Sequence, residues 1–364
     1  MDRRTICFFN STRAWGGGEK WHFDMITKLD PDRYRVIAVA DRAGELYSRL
    51  SRVNIPLHGV TVSNISFLSP LRVRKIVELL ASEKVDTIIM NLPSDLKLAG
   101  PAAASAGVRN IIYRRGSAIP VRNSWLNRRL FGKYITGIIA NSKETKRTIL
   151  MKNPGLFDPD RIKVIYNGLD IVEWDDTPES RIYQAQPGEI VIGNAGRMVK
   201  QKGQESLIKI AVGLKEEGLD FRLLIAGDGP LRQRLEAMAE KAGVSDRTVF
   251  TGFVRNMKSF MESLDIFVLT SLWEGFGYVI VEAMAAARPV VAFNNSSNPE
   301  IINDGETGIL VSSIDKMAKS IISLSSDSER IRRLGNNGRL SLESMFSMNK
   351  AVTRLQKYID DLDN

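Results

Sequence analysis

Short runs of β-branched and aromatic residues alternate with helix-patterned runs along the whole chain, and that alternation restricts the fold more than any other feature. It favours parallel sheets, because a parallel neighbour strand is reached only through a crossover long enough to hold a helix. Strand candidates in the first half are Thr5–Phe9, Arg35–Ala40, Thr87–Met90, Asn110–Tyr113, Thr136–Ala140 and Lys163–Tyr166. In the second half they are Ile190–Gly193, Phe221–Ala226, Thr248–Thr251, Asp265–Thr270, Val290–Phe293 and Gly308–Val311. Between the two sets, Asp175 to Gly188 carries Pro178, Pro187 and many polar residues and reads as a linker. The expected architecture is α/β: two Rossmann-like doubly wound domains, 1–175 and 176–343, facing a central cleft lined by the carboxyl ends of their strands. A final helical run over 344–364, with Met345, Leu355, Tyr358, Ile359 and Leu362 as packing residues, follows the second domain and is a candidate to pack back on the first.

Within that frame the stretch Glu274-Gly275-Phe276-Gly277-Tyr278-Val279-Ile280-Val281-Glu282 carries the most chemistry. It places two carboxylates eight positions apart, one in a glycine-rich turn after a strand and the other inside an apolar helix that stops before Pro289. Free amides at a helix N-terminus attract phosphate, and glycines let the ligand come close. Glu282, about one turn in, can then reach a hydroxyl next to that phosphate; the alternative is that it only complements the helix dipole. Gly193-Asn194-Ala195-Gly196-Arg197-Met198-Val199-Lys200-Gln201-Lys202-Gly203 likewise joins a strand to a helix. Here Arg197 offers a planar fork and Lys202 a point charge to a diphosphate. Taken alone, a lysine-rich surface loop would look the same.

A third strand-to-helix loop, Trp15-Gly16-Gly17-Gly18-Glu19-Lys20, follows the first strand. The dinucleotide fingerprint would need glycine at position 21, where Trp21 stands, so a nicotinamide oxidoreductase with Asp41 on the ribose is an incomplete match. The Asp30-Pro31-Asp32 and Asp158-Pro159-Asp160 patterns are explained by turn chemistry. With only His22 and His58 available, no histidine-rich metal site can form, and neither metal nor cofactor is expected.

Charge is unevenly placed: residues 1–175 hold 28 Lys/Arg against 17 Asp/Glu, whereas 176–364 hold 23 against 25. The basic first half suits an anionic partner, with a solvated basic face as the alternative. Around the first-half helix, Arg122, Arg128, Arg129 and Lys133 interleave with Trp125, Leu126, Leu130 and Phe131, a pattern shared by anionic-lipid interfaces and by ordinary helices packed on a core. A nucleic-acid partner has only that basic face in its favour and is not expected. No apolar stretch nears the roughly 20 residues of a membrane span. The start Met1-Asp2-Arg3-Arg4 runs directly into a strand, and Cys7 is alone, so the expectation is a cytoplasmic protein without a signal peptide.

In this order, the motifs resemble the retaining glycosyltransferases of the GT-B fold, family 4 (glycosyl transferases group 1). The resemblance covers essentially the whole chain and is strongest from about Ile190 to Val311. The family's two glutamates with seven intervening residues are met by Glu274 and Glu282, its Arg and Lys by Arg197 and Lys202, and its N-terminal glycine loop by Gly16, Gly17 and Gly18. Tyr166-Asn167-Gly168-Leu169-Asp170 is also similar to a family segment.

The resemblance implies transfer of a sugar from a nucleotide-diphosphate-sugar to an envelope glycan or lipid-linked acceptor, as in lipopolysaccharide or related polysaccharide synthesis, at the inner face of the cell membrane. It implies that Arg197 and Lys202 neutralise the leaving diphosphate without a metal and that Glu274 meets the transferred sugar. Glu282 would bind the ribose, and Gly277 and Tyr278 would give amides to the phosphates. Gly275, Phe276 and Val279 would complete that donor stretch, and the backbone around Gly252 and Phe253 would hold the base. Gly17 and Gly18 would approach the diphosphate from the opposite domain. One departure stands out: many relatives carry a histidine where this chain reads Arg114-Arg115-Gly116-Ser117. An arginine is a poor proton acceptor, so Arg114 and Arg115 are expected to hold an anionic group of donor or acceptor. A nucleotide-sugar epimerase or a phosphorylase of the same fold would carry identical donor motifs.

Overall fold

The computed structural model describes residues 3–362. Met1 and Asp2 of the chain start, and the last two positions of the 344–364 run, lie outside the described residues. Two compact units are present: one runs to Asn167 and takes in the chain again from Asn349, and the other is Gly168–Met348.

The first unit is built on seven parallel strands, β1 (Arg4–Asn10), β2 (Tyr34–Ala40), β3 (Leu57–Gly59), β4 (Thr87–Met90), β5 (Asn110–Arg115), β6 (Gly137–Ala140) and β7 (Ile162–Val164), in the order β3-β2-β1-β4-β5-β6-β7. The second has β8 (Ile190–Ala195), β9 (Phe221–Ala226), β10 (Thr248–Gly252), β11 (Ile266–Leu269), β12 (Val290–Phe293) and β13 (Ile309–Val311), in the order β10-β9-β8-β11-β12-β13. Central strands are apolar on both faces, as parallel strands covered by helices on each side must be. In β1, Cys7 and Phe9 enter one core while Ile6 and Phe8 are buried opposite, and in β11 all four residues are buried. Burial also pushes the Cys7 thiol well above its ordinary range, which leaves it an inert packing residue.

Every strand read from the sequence is present. The one missed is β3, a three-residue edge strand behind Pro56 in which Leu57 and His58 are half-buried, Gly59 is exposed and no period-two pattern shows. The run from Ser344 is two elements, not one: a helix Ser328–Met345 ends, Phe346 and Ser347 intervene, and a second helix spans Met348–Asp361. Met345 is therefore exposed at a helix end, whereas Leu355, Tyr358 and Ile359 are buried in the first unit. Asp360 fastens that helix, accepting from Tyr34 Oη at 2.9 Å and pairing with Arg33 at 2.5 Å.

The Tyr166–Asp170 segment has a separate physical role at each position. Asn167 accepts from a buried arginine, described below, and a Cβ on Gly168 would lie 2.7 Å from the Met348 backbone. Leu169 pairs with Ser347, and Asp170 caps the short helix Ile171–Asp176 by accepting from Glu173 N–H at 3.1 Å.

Candidate functional site

In the second unit the strand order reverses between β8 and β11, and the loops leaving those two strands meet at that switch point, the place where ligands of open α/β sheets bind. The β8 loop carries Arg197 and, in a tight turn over Lys200–Lys202, Lys202. The β11 loop carries Glu274 and ends at Gly277. Several contacts press the two loops together. Gly203 has φ +58°, and a Cβ there would sit 2.3 Å from Thr270 O, so only glycine fits. Thr270 Oγ1 donates to Lys202 O at 3.0 Å, and Leu272 N–H donates to Gln201 O at 2.8 Å.

These contacts bring together two charges that lie far apart in sequence. Lys202 Nζ donates to Glu274 Oε1 at 2.6 Å, and Ser271 Oγ donates to the same oxygen at 2.6 Å. Glu274 is buried, with its charge matched by the ammonium, while Lys202 keeps 19% of its side chain open. Arg197 is exposed on the same loop. Gly277, at φ +68°, turns the chain into the helix Tyr278–Ala285, and no side chain caps that helix start. Glu282 is half-buried one turn along. Gly275 and Gly277 are buried, Val279 is half-buried, and Phe276 is a core residue packed edge-on to Tyr278 and Phe346. Among the described residues no group of three or more His, Cys, Asp and Glu side chains is placed to hold a metal ion.

The residues expected to hold the base lie on the same edge. Gly227 N–H donates to Gly252 O at 2.7 Å, and a Cβ on Gly227 would meet Gly196 O at 2.1 Å, so the loops after β8, β9 and β10 touch in sequence. Phe253, just beyond Gly252, is 70% exposed, an unusual state for a large aromatic ring beside a glycine-rich loop.

The first unit has the same reversal between β1 and β4, and its glycine loop lies there. Gly16 and Gly17 are exposed, Gly17 opens the helix Gly17–Lys28, and a Cβ on Gly18 would lie 2.7 Å from Asn91 Nδ2. Behind the loop the charges bond inward. Glu19 Oε1 accepts from Asn10 Nδ2 and from Asn91 Nδ2, each at 3.2 Å. Arg114 is buried; its Nη1 donates to Asn91 Oδ1 at 3.0 Å, its Nη2 donates to Asn167 Oδ1 at 3.1 Å, and its guanidinium lies 4.6 Å from the Trp21 ring centroid. Trp21, which fills the third-glycine slot of the dinucleotide fingerprint, is thus the platform for a buried cation. Arg115 is half-buried and donates to Ile119 O at 2.5 Å.

Two titratable neighbours complete the cluster. His22 Nδ1 lies 3.0 Å from Gly18 O, and burial followed by the nearby Arg114 charge pushes its pKa down to about 3, so the ring is neutral. Burial raises Asp95 to about 7 against the hydrogen bonds it accepts from Ser11 Oγ at 2.5 Å and Leu92 N–H at 3.0 Å. Sequence reasoning missed Asn10, Glu19, Asn91, Asp95 and, in the second unit, Ser271. The signal open to it was faint: Asn10 ends β1 and Asn91 immediately follows β4, both at the carboxyl edge of the sheet.

Two doubly wound units, each with a glycine loop at its switch point and one of them with an exposed arginine and a Lys–Glu pair there, define an α/β protein of the doubly wound class. Residues 15–173 match the model described as Glycosyltransferase Family 4 and residues 175–341 the model described as Glycosyl transferases group 1. The chain belongs to this glycosyltransferase family. It is 34% identical over 164 residues to the alpha-D-kanosaminyltransferase of Streptomyces kanamyceticus, a match covering 44% of this chain and 42% of that relative. The chain thus spans less than half the length of that curated relative. Against the GDP-mannose-dependent alpha-(1-6)-phosphatidylinositol monomannoside mannosyltransferase of Mycolicibacterium smegmatis it is 26% identical over 292 residues, 74% of this chain and 75% of the relative. The fold is that of HepE from Anabaena, solved with UDP: TM-score 0.83 at 22% identity, over 98% of this chain and all of that one. HepE shares with it the two-domain α/β architecture called GT-B.

Proposed function

We propose that the protein transfers a sugar from a nucleoside-diphosphate sugar to a glycan or glycolipid acceptor, with retention at the anomeric carbon and without a metal. The observation that carries this reading is the Lys202–Glu274 pair at the second unit's switch point, beside an exposed Arg197 and the helix start at Gly277. A departing diphosphate gains negative charge in the transition state. Cations held in place beforehand stabilise that charge without reorganising, which is the work a divalent ion would otherwise do. Glu274 holds Lys202 in position through Oε1, and its other oxygen is left for a hydroxyl of the transferred sugar. Glu282 takes the ribose, the amides at Gly277 and Tyr278 take the phosphates, and Gly252 with Phe253 takes the base. No covalent nucleophile is assigned. In the first unit, Gly17 and Gly18 are a second set of backbone donors, and Arg115 is the cation left near the surface.

A lipid-linked acceptor is supported by the basic first half and by the exposed Trp125 on a helix with Arg128, Arg129 and Lys133. No helix among the described residues is long and apolar enough to cross a membrane. Sedimentation with anionic and neutral vesicles at low salt tests this part; equal, negligible binding to both would remove it.

A thermal-shift screen of nucleotide sugars tests the donor, starting with UDP-glucose because HepE was solved with it. A ligand at a hundred times its Kd adds about 2.7 kcal/mol and raises the midpoint measurably. Failure of every nucleotide sugar to shift the protein would count against the proposal. Product analysis separates transfer from the epimerase and phosphorylase chemistries the same donor site could serve.

A further inference from the structure

Three non-glycine residues among those described have positive φ: Lys84, Ala287 and Ser296. Lys84 and Ala287 each stand one residue past a helix C-cap, where the left-handed conformation is an ordinary way to end a helix. Ser296, at φ +51°, ends no helix. It lies in the polar loop Asn294-Asn295-Ser296-Ser297-Asn298 that leaves β12 at the switch-point edge of the sheet. A side chain persists in that conformation only where its surroundings over-determine it.

What holds Ser296 is the backbone of Glu274. Its Oγ accepts from Glu274 N–H at 3.1 Å and donates to Glu274 O at 2.7 Å, so one hydroxyl meets both main-chain polar groups of a single residue. Buried Ser297 Oγ donates to the same carbonyl at 3.2 Å. Asn295 Nδ2 donates to Ser271 O at 3.3 Å and to Leu272 O at 3.4 Å, and Asn298 Nδ2 anchors the loop on Phe293 O at 2.9 Å. The loop therefore grips the Ser271–Glu274 turn from behind while Lys202 and Ser271 both bond to Oε1 of the carboxylate. Glu274 Oε2 makes no hydrogen bond among the described residues.

We propose that Ser296, backed by Ser297, is a positioning residue that aims Glu274 Oε2 at a hydroxyl of the transferred sugar. The proposal rests on the reading above that Glu274 meets that sugar. A backbone held at both its N–H and its C=O fixes the origin of the side chain, and a hydroxyl can be recognised only by a carboxylate whose position varies by a few tenths of an ångström. The nucleoside diphosphate itself does not need that oxygen.

The test uses Ser296→Gly, which removes the hydroxyl and suits the positive φ, so the variant folds. Amide exchange at Glu274 is expected to speed up about tenfold, the loss of one hydrogen bond's protection. Titration calorimetry is expected to show UDP-glucose binding weakened about tenfold with UDP unchanged, and no further weakening when Ser296→Gly is added to Glu274→Ala. Unchanged exchange at Glu274, or equal losses for UDP and UDP-glucose, would overturn the positioning role. Should the unsubstituted protein bind neither UDP nor UDP-glucose, that result bears on the donor, and the exchange measurement alone decides whether Ser296 holds Glu274.

Discussion

The two units place charge at the same point of the same topology and treat it in opposite ways. Each sheet reverses its strand order next to its first strand, each has a glycine loop there, and each gathers carboxylates and cations behind that loop. In the first unit Glu19, His22, Asp95 and Arg114 are all buried and bonded to asparagine, serine or backbone atoms of the unit. In the second, Arg197 is exposed, Lys202 is partly open, and Glu274 keeps one oxygen unbonded. The contrast teaches that a switch point is only a place where ligands can bind. Polar groups bonded inward stiffen the loop, whereas charges left with open valences can meet a ligand.

The largest expected effect breaks the second unit's site. Lys202→Ala and Glu274→Ala should each lower transfer from a nucleotide sugar by roughly 100- to 1,000-fold, as loss of a preorganised charge does elsewhere, with the far-ultraviolet circular dichroism retained. Steady-state rates near those of the unsubstituted enzyme would erase the distinction between the units.

Next in size, Arg114→Leu should destabilise the first unit by about 3 kcal/mol in urea unfolding. It leaves the oxygens of Asn91 and Asn167 buried without their donor and removes the cation over Trp21. An unchanged urea midpoint would mean that the inward network is dispensable.

A smaller effect is set by pH. The folded His22 titrates near 3, below its unfolded value of 6.5, so its contribution to stability is present above 6.5 and is lost as pH falls toward 3. Asp95 titrates near 7, above its unfolded value of 3.8, so the folded unit holds a proton that the unfolded chain has released, and stability falls as pH rises from about 4 to 7. Between pH 4 and 6.5 the two oppose each other. Asp95→Asn should remove one side, so that stability climbs by up to about 1.4 kcal/mol per pH unit over that window. Urea midpoints at pH 4.5 and 6.5 read this directly; a flat profile in the variant would contradict it. The smallest effect is on stability at Arg197: Arg197→Ala should change the unfolding free energy measured in urea by less than about 0.5 kcal/mol while still weakening UDP binding.

Much of this was legible in the chain. Strand runs such as Thr87–Met90 and Ile266–Leu269 are continuous apolar segments, and burial on both faces leaves that mark on the sequence. The loops around Arg197, Lys202, Glu274 and Gly277 were legible because their glycines and spacing belong to local turn geometry. The edge strand Leu57–Gly59 was not, since half-buried and exposed residues leave no pattern. Nor was the state of Arg114: sequence shows an arginine at the end of a strand, and a ligand-facing guanidinium and a buried one are spelled alike. Ser296 was invisible for the same reason, because nothing in Asn294–Asn298 signals a positive φ without glycine.

By itself the sequence determined the order of strands and helices and the glycine turns that join them. Those depend on contacts between residues a few positions apart. The tertiary structure alone decided which charges are closed and which are open. Arg114 meets partners 23 and 53 positions away, and Glu274 is paired across 72 positions and gripped across 22. Pairings at such distances arise only when the sheet brings its strand ends together, and no local pattern of residues encodes them.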